Sequence, residues 1–90
     1  MIIQNSTQKG KRLMATFSNG KTVHFGLKGG STYIDHKDKK KRSNYLARHK
    51  VRENWDDPYT AGALSRWLLW GDYPDLEKNH KEFMKKYTVM

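Results

Sequence analysis

The sequence predicts an α+β fold: an N-terminal antiparallel β-hairpin or small sheet packed against about three α-helices. Three observations predict it. Apolar residues alternate on both sides of Asn19-Gly20 in "RLMATFSNGKTVHFG", residues 12–26, the pattern of two strands with one buried face. Beyond Asp35 the apolar residues recur at helical spacing, in stretches separated by proline and glycine signals. The chain has 90 residues, enough for a single small domain and no second core.

The hairpin register can be argued from burial. A two-residue Asn19-Gly20 turn sets Phe17 opposite Thr22 and Ala15 opposite His24, which mixes apolar and polar faces. A three-residue loop, Ser18-Asn19-Gly20, sets Phe17 opposite Lys21, Ala15 opposite Val23 and Leu13 opposite Phe25. That gathers Leu13, Ala15, Phe17, Val23 and Phe25 on one face. Gly20 then occupies the left-handed position such loops demand. Residues 1–11 are read as extended, with "MIIQN" a candidate third strand. "GLKGGSTY" follows as a loop. Its glycines match neither G-x-G-x-x-G nor the P-loop pattern, so a turn leaving the sheet is the reading, not a phosphate cradle.

Asp35 is the expected N-cap of a helix over residues 36–52, with Asp38 at its third position. Tyr45, Leu46 and His49 form its inward stripe, expected to meet the hairpin face. Residues 37–52 carry eight basic side chains, Lys37, Lys39, Lys40, Lys41, Arg42, Arg48, Lys50 and Arg52, against one acid, Asp38. "ENWDDPY" is a connector, because proline biases its predecessor away from helix. Thr60 then caps a tryptophan-rich helix over residues 60–70, closed by Gly71 as its left-handed stop. Ala61, Leu64, Trp67 and Leu68 share one face of it. Leu69 and Trp70 lie off that stripe. The last helix, residues 74–87, has Pro74, Asp75 and Glu77 early and Lys85 and Lys86 late, which suits the helix dipole. Leu76, His80, Phe83 and Tyr87 are its apolar-side stripe.

Composition bounds the function. There is no cysteine, which removes disulfides and Cys-zinc sites and suits a reducing compartment. The first residues contain no apolar signal-peptide core, and no segment reaches the roughly 18 apolar residues of a membrane span. A net charge of +9 implies attraction to polyanions: nucleic acid, an anionic membrane surface or an acidic protein. The four histidines stand at spacings that force no convergence, so no metal or other cofactor is expected. Ser65 lacks a G-x-S-x-G context, and the acids sit mostly at helix starts and in "ENWDDP", so no catalytic residues are assigned and no enzyme is expected.

Two stretches carry binding expectations. Lys37, Lys39, Lys40, Lys41, Arg42, Arg48, Lys50 and Arg52 form a polyanion-binding set, able to neutralise phosphates with little sequence choice. Tyr33, Tyr45 and Trp55 flank it. Trp55, Arg66, Leu69 and Trp70 form a partner-binding set, since a helix so apolar on all sides is hard to cover in a domain this small.

Phe25-Gly26, Tyr33, His36-Lys37-Asp38, Arg42, Tyr45, Arg48-His49, Trp55, Thr60-Ala61-Gly62 and Ser65 to Trp70 together form an ordered pattern. In this the chain resembles a family of small basic proteins of unknown function encoded by large nucleocytoplasmic DNA viruses of algae and amoebae (chlorovirus- and mimivirus-like). The resemblance covers about half of the sequence and leaves out the first ten residues and those after Gly71. It implies a non-enzymatic structural protein of the virion, either minor capsid or genome-associated, found in host cytoplasm or nucleus during infection. Its partners would be other virion proteins, viral nucleic acid, or both. The alternative is a free, sequence-nonspecific nucleic-acid-binding protein acting on viral DNA or RNA.

Overall fold

Three strands form the N-terminal part: β1 (Ile2–Asn5), β2 (Lys11–Thr16) and β3 (Thr22–Leu27), antiparallel in the order β1-β2-β3. Four helical segments follow, so the fold is α+β. The structure, a computed structural model, describes residues 1–87. In the β2–β3 hairpin Ala15 pairs with Val23 and Leu13 with Phe25, the register of the three-residue loop. Phe17 and Lys21 close that loop at 2.9 Å, and Gly20 adopts φ +89°. Leu13, Ala15, Phe17 and Phe25 are all buried, so the alternation reads directly onto the inner face.

The segment expected as one helix over 36–52 is two. Thr32, not Asp35, caps α1 (Tyr33–His36), and Asp38 caps α2 (Lys39–His49). Lys37 lies between them in the left-handed region, φ 58°. The reason is a competition of acids. Asp35 turns back to the Thr32 N–H at 2.8 Å and grips Arg12 of β2 through both guanidinium nitrogens at 2.6 and 2.8 Å. Asp38, released from any interior position, accepts from the N–H groups of Lys40 and Lys41.

The tryptophan-rich helix starts as expected at Thr60, whose hydroxyl accepts from Ala63 N–H at 3.2 Å. It runs as α3 (Ala61–Leu64) and continues in a π turn, Ser65–Leu69, closed by the Trp70 N–H on Ser65. A π turn advances each residue by less than the about 100° of an α-helix. Leu68 and Leu69 both therefore stay on the side set by Leu64, and Trp67 swings outward. Gly71 is not the left-handed stop expected of it, having no positive φ. Its lack of a side chain matters for another reason: a Cβ there would collide with the Trp67 carbonyl and lie 2.6 Å from Asn79.

α4 (Leu76–Lys86) begins at Asp75, which accepts from Glu77 and Lys78 N–H. The core joins the inner sheet face to Leu64, Leu68, Leu69 and Phe83, with Trp67, Trp70, Leu76 and Tyr87 packed on its flanks. Tyr45 and Leu46 do not meet the sheet face as expected. Both are half-buried on α2, which has no fully buried side chain. Among the described residues no helix is long and apolar enough to cross a membrane.

Candidate nucleic-acid interface

α2 presents its charges because it packs by one edge only. Of the basic set, Lys37, Lys39, Lys40, Lys41, Arg48, Lys50 and Arg52 are exposed. Among the described residues none of these seven has an acidic partner within ion-pair distance. Lys41, Asn44 and Arg48, at i, i+3 and i+7, fall on one side of the helix.

Arg42 is different and leaves the polyanion-binding set. Its Nε donates to the carbonyls of Trp70 and Gly71 at 3.2 and 2.9 Å, and its Nη2 meets Asp72 at 3.0 Å. It caps the end of the tryptophan-rich helix from a distance of about thirty residues in sequence. Three places further along α2, Tyr45 stacks on Trp70 with ring centroids 4.1 Å apart and planes 4° from parallel. His49 stacks on the other face of Tyr45 at 4.1 Å. Burial, with Glu53 nearby, pushes the Tyr45 phenol up to about 12.

The partner-binding set is mostly turned to internal use. Leu69 is 1% exposed and presents no surface, a correction that follows from the π turn. Trp70 is engaged by Tyr45 and by His36 at 5.3 Å. Arg66 lies over Trp67 at 4.2 Å and Trp55 at 5.1 Å, and donates to the Trp70 carbonyl at 3.1 Å. Burial lowers its affinity for its proton from the ordinary arginine value. Trp55 donates to Glu53 at 3.0 Å, and its carbonyl accepts from Trp67 and Tyr87. Tyr33, read as a flanking aromatic, is buried.

Two clefts open beside α2. The smaller, about 240 Å³, is lined by Ser31, His36, Lys41, Asn44, Arg48 and Trp70. The Asp38 N–H occupies His36 Nδ1 at 2.9 Å, so the neutral ring carries its proton on Nε2, a buried atom with no hydrogen-bond partner among the described residues. The larger cleft, about 430 Å³, lies between β3, α2 and α3. Leu27, Tyr45, His49, Glu53, Ser65 and Trp70 are among its walls. Neither Glu53 nor Leu27 is legible as a site residue in the sequence, because cleft formation depends on how α2 docks. Among the described residues no group of three His, Cys, Asp or Glu side chains is placed to hold a metal ion.

A family model matches residues 1–49, which span the sheet, α1 and α2; it is described as a family of unknown function, DUF5754. No curated protein and no solved structure matches the chain.

Proposed function

Because the chain belongs to the DUF5754 family, whose description assigns no activity, we propose a function from its surface: a non-enzymatic module that binds nucleic acid through α2 with little sequence choice. One observation carries this reading. Seven lysines and arginines in and around one short helix are solvent-exposed, without acidic partners among the described residues. Like charges so close repel one another, and a polyphosphate relieves that repulsion while releasing its own counterions. Contacts of this kind go to the backbone and carry no base information.

The resemblance of the HKD…RH…TAG…SRWLLW pattern to small basic proteins of large DNA viruses supports a viral setting. Within it we favour a genome-associated structural protein of the virion. The rival role, a minor capsid protein held through the tryptophan-rich helix, is less well supported, because Leu69 is buried and Trp55, Arg66 and Trp70 make internal contacts.

Titration of purified protein against random-sequence DNA at increasing salt tests the ligand. Log affinity should fall steeply with log salt, and the combined change Lys39→Glu, Lys40→Glu, Lys41→Glu should flatten the slope by about 2 to 3 for all sequences alike. A slope near zero in the unaltered protein sinks the reading. Fractionation of intact particles tests the setting: the protein should travel with the genome, whereas recovery with the shell supports the capsid role.

A further inference from the structure

The small and large clefts share two walls, Ser31 and Trp70, so they adjoin there, beside α2. Their linings differ in kind. The small cleft offers an ammonium, a guanidinium, an amide and a hydroxyl from Lys41, Arg48, Asn44 and Ser31. The large cleft is mostly apolar, with Leu27 at its rim 71% exposed; its polar groups include the Lys11 ammonium, the Ser65 hydroxyl and the Glu53 carboxylate, which already meets His49 Nδ1 at 3.5 Å and the Trp55 indole N–H at 3.0 Å. An anion fits the first, where two cations stand with no acid in the lining; the second sets one cation against one carboxylate and offers an anion no such net pull. A flat group with apolar faces and polar edges fits the second.

From this juxtaposition we propose that the paired clefts form a binding groove for an unpaired nucleotide, its phosphate at Lys41 and Arg48 and its base in the bay beside Leu27, Tyr45 and His49. The inference rests on the nucleic-acid reading above and goes beyond it, because it names the form of the ligand. A base held in a duplex shows only its edges and cannot enter the bay. A base in a single strand can. The volume of about 430 Å³ lies within the range of about 300 to 1,000 Å³ usual for sites that enclose small ligands. Charge alone would favour the duplex, whose phosphates are denser along the axis. A preference for the single strand is therefore a signature that the basic helix by itself does not produce.

Anisotropy of labelled random-sequence strands, single and duplex, of equal length and at equal salt, reads this directly. The unaltered protein should bind the single strand about tenfold more tightly, the scale of one seated base. Ala61 is exposed at the start of α3 and lines the bay. Ala61→Trp should fill the bay, bring the single-to-duplex ratio to about one, and leave the salt slope unchanged. Circular dichroism checks that the variant folds. A second measurement needs no variant: titration with adenosine monophosphate should shift the Tyr45 and His49 proton resonances, and ribose 5-phosphate or inorganic phosphate should not. Salt-dependent binding with equal affinity for both strands, or shifts confined to Lys41 and Arg48, overturns the groove and leaves the basic-helix reading standing. Absence of salt-dependent binding to either strand overturns both.

Discussion

Asn79 is 2% exposed, and its amide meets three backbone groups. Nδ2 donates to the carbonyls of Leu68 and Tyr73 at 3.0 and 2.7 Å, and Oδ1 accepts from the Tyr73 N–H at 3.0 Å. These groups belong to the end of the π turn and to the link before α4, where no regular ladder can serve them. One side chain thus satisfies a buried crossing, and Gly71 lets it approach. Asn79→Leu fits the space but strands all three groups. It should cost about 3 kcal/mol, read as a lower urea midpoint at unchanged slope. A loss under about 0.5 kcal/mol would mean that water serves these groups instead.

At the scale of elements, α2 is joined to the rest of the molecule by few contacts, and Arg42 supplies polar ones that reach the end of the tryptophan-rich helix. Arg42→Gln should lower stability by about 1.5 to 3 kcal/mol, the usual worth of a charge-assisted bond. DNA affinity should fall less than for Lys40→Gln, which removes an exposed charge and no internal bond. Denaturant melts and salt titrations of both variants check the pair of expectations. The same element marks where sequence reading succeeds and where it stops. The hairpin was fully legible, because alternation, a glycine and one buried face leave a single register for Leu13, Ala15, Phe17 and Phe25. Thr60 and the start of its helix were legible for the same local reasons. The break at Lys37 was not, since Asp35 and Asp38 are each good caps. The decision between them is made by Arg12, some twenty residues upstream. Leu69 was misplaced because a helical period of 3.6 residues contains no π turn. Of the candidate site, the charges of α2 could be read as a set, but the exemption of Arg42 could not. Two of its partners are backbone carbonyls, which leave no mark in composition, and the third, Asp72, lies thirty residues away.

Across the whole molecule, His80 and Asp35 tie the fold to pH in separate windows. The His80 imidazole is held below its ordinary value, first by burial and then by the positive amino terminus of Met1. The unfolded chain therefore takes up this proton before the folded one does. The contribution of neutral His80 is fully present above the unfolded value, near pH 6.5, and is lost as pH falls through it toward the lower folded value. The melting temperature should drop between about pH 7 and about pH 5, and His80→Leu should flatten that drop. An unchanged slope in the variant would assign the effect elsewhere. Asp35 is held far below the carboxylate range, chiefly by the Arg12 guanidinium. Its contribution is present above about pH 4 and is lost only in stronger acid, so the two windows can be separated in one series.

The parallel rings of Tyr45 and Trp70 have an optical consequence. A phenol and an indole fixed 4.1 Å apart in one orientation form a coupled chromophore pair, whose near-ultraviolet dichroism exists only while the packing is fixed. Because one ring belongs to the basic helix and the other follows the tryptophan-rich one, that band reports their docking without any attached dye. A Trp70→Phe spectrum, subtracted from the native one, isolates the band, so the attachment of the charged helix can be watched separately from the melting of the sheet.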